Sequence, residues 1–341
     1  MNCNYFVDGN YKCFNIENFE KKLNTVTKIL KKACDSIGIS YNLEGNIIKI
    51  FNNDKSIIFN GSRNFLNIEN KKNTINKDIT SKLLSKNNIP VPNNKVFNKI
   101  KSPKDLMNII FNHNIPYPLV VKPNDGSGGK KVFVNIKNIT EQYNILLNDF
   151  SNQNIKFSES KKIMIENYIE GNDFRILCYK NIILDVVKRS PPYVIGDGEN
   201  TIKFLVDKQN KIKISNGHHK IQINELFLNK NNLNINSIIK LNEKIIVNPI
   251  SNFHKGGFIE RIPLTKIHQD NLEIFKKVND SLGLQFCGID FLVKDISKSY
   301  KTQICGINEV NSSPSFDIHY YADNKNSLEI PIKFLKYYFN L

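Results

Sequence analysis

Two short apolar runs near the end of the chain, GIDFLV (288–293) and INEVN (307–311), constrain the fold more than any other feature. Both have strand length and β-prone composition, and a polar loop over 294–306 separates them. That pattern predicts an antiparallel pair. The first run carries Asp290 and the second carries Glu309 and Asn311. Residues two apart on a strand share a face, so Glu309 and Asn311 project together. If the runs pair, Asp290 can face them. Three hard oxygen donors with no histidine or cysteine suit Mg²⁺, usually with phosphate oxygens completing the shell.

Upstream lies PLVVKPNDGSGGKKV (118–132), a buried-strand pattern ending in Lys122 and a turn built from Gly126, Ser127, Gly128 and Gly129. This is not a Walker loop, because no Ser or Thr follows a Gly-Lys there. The glycines allow backbone N–H groups to fold over phosphates, and Lys122 adds a point charge. An ordinary glycine hairpin with a surface lysine is the competing reading. KIMIENYIEGNDFRILCY (162–179) gives two strands broken at Gly171. Glu166 and Asp173 are acids in a mainly apolar setting. Tyr168 and Ile169 can supply the wall and backbone of an adenine slot, and Asp173 a ribose contact. A solvated turn with outward-pointing acids explains the same residues.

The net charge of +16 invites a nucleic-acid reading. Only four of the 48 basic residues are arginine (Arg63, Arg175, Arg189 and Arg261), and no basic stripe with interleaved aromatics is present. Lysines spread over solvated faces account for the charge. Where lysine suffices this chain uses lysine, so Arg175 and Arg189 point to a need for guanidinium geometry. The six cysteines are scattered without a C-x-x-C pair and are expected reduced. No apolar run reaches membrane-spanning length, and the N-terminus lacks a signal-peptide pattern. A cytoplasmic location without membrane or nucleic-acid partners is the expectation.

The spacing of Phe19, Leu23, Val26, Leu30, Ala33 and Ile37 predicts a helix over 15–38, stopped by Gly38. A hairpin follows at 47–51 and 56–59. Further helices are expected at 78–88, 139–150, 268–282 and 327–339. Strands are expected at 118–122, 131–135, 161–166, 174–179 and 182–187. Residues 191–200 read as turns, and 201–250 resist assignment. His218-His219 is a poor metal pair, since neighbours on a strand point apart. His254 and His319 either touch substrate or lie on the surface, the latter reading favoured for His319.

Taken in order, NKDITSKLLSKNNIPVP (76–92), the 118–132 segment, IENYIEGNDFRILCY (165–179), VVKRSPPYVIGDGENTI (186–202), HKGG (254–257), GIDFLV and INEVNSSPSF (307–316) resemble the ATP-grasp superfamily of carboxylate–amine ligases. Within it, they are similar to the ATP-grasp portion of cyanophycin synthetase and of bifunctional glutamate–cysteine ligase/glutathione synthetase. The resemblance covers residue 76 to the end. It implies an α+β ATP-grasp fold with the nucleotide between two antiparallel-rich sheets. A small α/β cap would occupy 1–75, the ligase domain 76–341, and the smaller nucleotide-clamping lobe 116–190. It implies Lys77 and Lys122 on ATP phosphates, and Glu166 with the backbone around Ile169 on adenine. Asp173 would hold the ribose, and Asp290, Glu309 and Asn311 two Mg²⁺ ions, with Mn²⁺ an acceptable substitute.

The implied reaction moves the γ-phosphate to a carboxylate of an amino acid or peptide. An amine then attacks the acyl phosphate, giving a peptide or isopeptide bond, ADP and phosphate. A guanidinium can stabilise the oxyanion formed in that attack. Arg189 is the candidate, with Arg175 and the amides of Gly256 and Gly257 beside it. A γ-glutamyl ligase making a glutathione-like peptide is the rival within the class, and a non-catalytic ATP-binding regulator the rival outside it. The P-loop partner half of cyanophycin synthetase has no counterpart among these residues, so that polymer is not the expected unaided product. Oligomeric state stays open, dimers and tetramers being common among such ligases.

Overall fold

Asn24 starts the first described helix, its side-chain oxygen accepting the Thr27 N–H at 2.9 Å. Gly38, at φ 68°, ends it in the left-handed conformation. This helix, α1 (Thr25–Ile37), buries Val26, Ile29, Leu30, Ala33 and Cys34 along one stripe. It is shorter than the expected 15–38, and Phe19 lies outside the described residues. The computed structural model describes residues 6–7, 10–11, 23–67, 69–98, 108, 116–126, 132–138, 140–141, 162–322 and 326–341. The expected helix at 139–150 falls almost wholly outside them.

Before α1, β1 (Phe6–Val7) and β2 (Asn10–Tyr11) form a short antiparallel pair. After it, β3 (Ser40–Glu44), β4 (Ile47–Asn52), β5 (Lys55–Asn60) and β6 (Arg63–Asn64) make an antiparallel meander. The predicted hairpin at β4–β5 turns on Asn53-Asp54, with Asn53 at φ 50°. Ile48, Ile50, Ile57 and Phe59 point into the core with the strand period of two.

The chain then forms α2 (Lys72–Ile75) and α3 (Lys77–Lys86), which ends ahead of Pro90. Next come β7 (Asn94–Asn98), β8 (Leu119–Pro123), β9 (Phe133–Ile136) and β10 (Lys162–Asn167). They build an antiparallel sheet in the order β7-β10-β8-β9. A second antiparallel sheet, in the order β15-β12-β11-β16-β17, uses β11 (Asn172–Tyr179), β12 (Ile182–Ser190), β15 (Phe258–Arg261), β16 (Phe286–Val293) and β17 (Cys305–Asn311). Residues 172–190, expected in the smaller lobe, therefore hydrogen-bond into the larger sheet, while 94–98 joins the smaller one.

Between β12 and β15 the chain folds a satellite core. There β13 (Tyr193–Ile195) pairs with β14 (Lys244–Ile246), under α4 (Ile202–Ser215) and α5 (Glu225–Lys230). The turn-rich 191–200 thus contains a strand whose partner lies some fifty residues downstream, a pairing local composition does not reveal. Among the described residues, α6 (Gln269–Leu282), α7 (Asp317–Tyr320) and α8 (Glu329–Phe339) follow. The expected helix at 268–282 forms as α6, with Phe275, Val278 and Leu282 buried and Gly283 as its left-handed C-cap.

Alternation in the five-stranded sheet decides where chemistry can occur. Phe174, Ile176, Val186, Ile289 and Phe291 fall on one face and pack under α3 and α6, with Leu84, Phe275 and Val278. Their neighbours in sequence, Asp173, Arg175, Asp290 and Val187, fall on the other. One end of the sheet is capped by α1, β4, β5 and α8 in a shared core. Phe334 of α8 lies within 6.1 Å, centroid to centroid, of Phe59, Tyr179, Phe286, Phe316 and Tyr338. Buried Asn67 adds a polar tie. Its amide nitrogen donates to the Phe286 and Ser312 carbonyls, and its Oδ1 accepts the Gln285 N–H at 2.8 Å.

Because Phe334 joins the N-terminal layer to the sheet, Phe334→Ala should cost about 3–5 kcal/mol in urea unfolding, with both layers melting together. A loss below about 1 kcal/mol would show that the two layers do not share a core.

Candidate active site

Cross-strand register brings together residues that are far apart in sequence. Arg175 lies opposite Asp290, and Asp290 lies opposite Glu309. Arg189 lies opposite Asp173, two residues from Arg175 on β11. Arg175 Nε is 2.5 Å from Asp290 Oδ1, and its Nη2 donates to Oδ2 at 3.3 Å. Arg189 Nη2 reaches Asp290 Oδ2 at 2.9 Å and Asp173 Oδ1 at 2.6 Å. Two guanidinium groups and two carboxylates thus form one network on the open face of the sheet, with Asp290 buried and the other three part-buried. Arginine suits it, because its fixed fork can contact two carboxylates at once.

Burial works against the charge on Arg189, but Asp290 and Asp173 outweigh it and hold the guanidinium firmly protonated. Burial pushes the Asp173 carboxyl up, opposed by Arg189. Gly288 makes room for this network. A Cβ there would sit 2.6 Å from Arg175 Nη1 and 3.0 Å from Pro314 Cβ. The sequence-predicted metal ligands lie beside it: Asp290 and Glu309 directly opposite one another, and Asn311 two residues further along β17. The register shifts between Asp290 and Phe291, leaving Asn308 as the extra residue of a bulge. An all-oxygen donor set on two adjoining strands fits Mg²⁺.

Asn308 crosses to the smaller sheet. Lys122 Nζ donates to Asn308 Oδ1 at 2.8 Å and lies 2.5 Å from Glu166 Oε1. Lys122 and Glu166 are both buried. Lys77, at the start of α3, donates from Nζ to the Gly126 carbonyl. Burial lowers the Lys77 ammonium from its usual range, partly offset by Glu309. Asn124 holds the glycine turn against α3: its Oδ1 accepts the Asp78 N–H at 3.0 Å and its Nδ2 donates to Asp78 Oδ1 at 2.8 Å. A cleft between the sheets is lined by Lys77, Ser81, Asn94, Glu166, Asn308 and Glu309. Sequence reasoning missed Asn124 and Asn308. The Pro-Asn-Asp-Gly turn was a signal for the first, but nothing local marks the second.

The remaining expected residues are placed less uniformly. Ile169 is buried, and the Tyr168 N–H donates to the Pro118 carbonyl at 2.8 Å, so that amide cannot read adenine. Asp173 has one oxygen committed to Arg189, which leaves Oδ2 for a ribose hydroxyl. Ser127, Gly128 and Gly129 lie outside the described residues.

Gly256 and Gly257, expected to offer oxyanion-binding amides, donate instead to the Phe253 and Asn252 carbonyls at 3.0 Å. Close packing explains why they are glycine. A Cβ on Gly256, at φ 86°, would come within 2.3 Å of Ile221 Cα, and one on Gly257 within 2.9 Å of the Ser190 carbonyl. His319, expected on the surface, is fully buried with Nδ1 2.9 Å from Asp185 Oδ2. That buried carboxylate gives the imidazole a partner the sequence could not reveal.

Removing Arg175 would leave Asp290 Oδ1 without its partner, while Arg189 still holds Oδ2. Arg175→Ala should cost about 1–3 kcal/mol in denaturant unfolding. Gly288→Ala, which drives a methyl into the same guanidinium, should destabilise in the same direction. Two variants as stable as the parent would show that the network is not formed in solution.

Residues 74–224 match the RimK-like ATP-grasp domain. The chain is 29% identical over 252 residues to a cyanophycin synthetase of Synechocystis, covering 71% of this chain and 28% of that protein. It is 30% identical over 272 residues to the glutathione biosynthesis bifunctional protein GshAB of Clostridium perfringens, covering 74% of this chain and 33% of that one. It therefore spans about a third or less of these relatives. Among solved structures, a bifunctional glutathione synthetase from Pasteurella multocida superposes with a TM-score of 0.65 at 20% identity, covering 95% of this chain and 44% of that one. The fold is ATP-grasp, mixed helices with antiparallel sheets.

Proposed function

We propose that this chain, which carries a RimK-like ATP-grasp domain, is an ATP- and Mg²⁺-dependent ligase. It would join the carboxylate of an amino acid or peptide to an amine through an acyl phosphate. The observation that carries this reading is the register pairing of Asp290 with Glu309, beside two guanidiniums, with Lys77 lining the same cleft as Glu309 and Lys122 bonded to Asn308. Phosphoryl transfer requires mainly alignment and charge neutralisation, and this face concentrates the groups for both.

Asp290, Glu309 and Asn311 are the residues to hold two Mg²⁺ ions, which when bound neutralise the triphosphate. Lys77 and Lys122 bind phosphate oxygens. Glu166 and the Ile169 backbone hold adenine, and Asp173 the ribose. Asp173 and Asp290 also keep the Arg189 guanidinium charged and aimed across the open face. From there Arg189, with Arg175, stabilises the oxyanion of the amine attack. The N-terminal residues 1–75 serve as a cap, since α1, β4 and β5 share a core with one end of the ligase sheet. A cytoplasmic location fits both ATP chemistry and the free thiols of Cys34, Cys178, Cys287 and Cys305. Among the described residues no helix is long and apolar enough to cross a membrane.

With a panel of amino acids and short peptides, phosphate release should require both an acid and an amine, and hydroxylamine should trap a hydroxamate. Arg189→Ala should lower turnover by about 10²–10³-fold, and Asp290→Asn or Glu309→Gln should abolish it in folded protein. ATP binding with no hydroxamate from any carboxylate would point to a regulatory nucleotide-binding protein instead.

A further inference from the structure

Three segments that the sequence keeps far apart meet above the sheet face bearing Arg175 and Arg189. His219 precedes α5, His254 lies in the turn before β15, and Asp317 begins α7. His254 Nε2 is 2.9 Å from Asp317 Oδ2, and the His219 and His254 rings lie 4.7 Å apart. One ligand atom from each of the three residues falls within 4.8 Å of the other two. We propose that His219, His254 and Asp317 form a binding site for a divalent transition-metal ion of the zinc class, separate from the Asp290–Glu309 pair.

The surroundings hold these ligands in place. Asp317 is buried, and its Oδ1 accepts the Ile318 N–H at 2.7 Å, which fixes the carboxylate and leaves Oδ2 facing the imidazoles. The His254 N–H donates to Asn252 Oδ1 at 2.8 Å, and Gly256 closes that turn. Phe253 packs edge-on against both imidazoles, at 5.0 Å from His219 and 5.7 Å from His254. Phe253 in turn is buried with Val187, Ile318 and Ala322, which ties the turn and α7 to the sheet.

The neighbouring His218 ring also packs on Phe253 and lies against Tyr321. Four-coordinate zinc at about 2.0–2.1 Å from its ligands spaces their atoms by roughly 3.3 Å, a small adjustment from the observed cluster. Two imidazoles and a carboxylate favour zinc, cobalt or nickel over Mg²⁺. Three protein ligands leave a coordination position open to water or to a substrate group.

Co²⁺ added to the full chain in excess Mg²⁺ tests this site by its visible d–d absorption. One Co²⁺ per chain should bind without thiolate charge-transfer bands and be displaced by Zn²⁺. Asp290→Asn should bind it unchanged, which separates this site from the proposed catalytic one. His254→Ala and His219→Ala should each weaken binding at least about 100-fold while unfolding at the parent's denaturant midpoint. Failure to retain Co²⁺, charge-transfer bands marking cysteine ligation, or full affinity in both histidine variants would overturn the proposal.

Discussion

The network in which buried Asp290 is shared between Arg175 and Arg189 is the interaction on which the site depends. Desolvating two guanidiniums and two carboxylates is expensive, and it is tolerated only because each charge has a partner of the opposite sign within hydrogen-bond reach. The strand period makes this arrangement compatible with folding. Each charged residue on β11 and β16 alternates with a side chain such as Phe174, Ile176, Ile289 or Phe291, buried against α3 and α6. One sheet therefore serves as core on one side and as a polar surface on the other.

The second requirement is closure of the two sheets. Lys122 reaches from β8 to Asn308 on β17, and Lys77 reaches from α3 to the glycine turn. A bulge places Asn308 where a regular ladder would have turned it away. These contacts put ammonium groups opposite the carboxylates of β16 and β17 without inserting a charge into either apolar core. The asparagine side chains of residues 67, 70 and 73 bond to carbonyls at 282–286, so the segment leading into α3 is anchored to the entry of β16.

Much of this was legible in the sequence because it follows from local periodicity. The alternation around Asp290 and the i, i+2 spacing of Glu309 and Asn311 placed three oxygen donors on one surface before any fold was known. The stripe of α1, the hairpin at Asn53-Asp54 and the face of α6 were equally local. What stayed hidden depends on long-range pairing. The strand at 193–195 is defined by a partner at 244–246, and the burial of His319 by Asp185. Gly256 and Gly257 resembled anion-binding glycines because composition alone cannot separate a free amide from one already bonded within a turn. Nothing local links His219 to His254 and Asp317, which come from two other segments.

The claim that the Asp290–Glu309 face binds the metal–nucleotide complex is tested most directly by a crystal grown with ADP and Mn²⁺ and measured for anomalous scattering. The account predicts a manganese peak in contact with Asp290 and Glu309, with the β-phosphate between it and Lys122. Manganese and phosphate located away from that face, with Asp290 still held by both arginines, would contradict it.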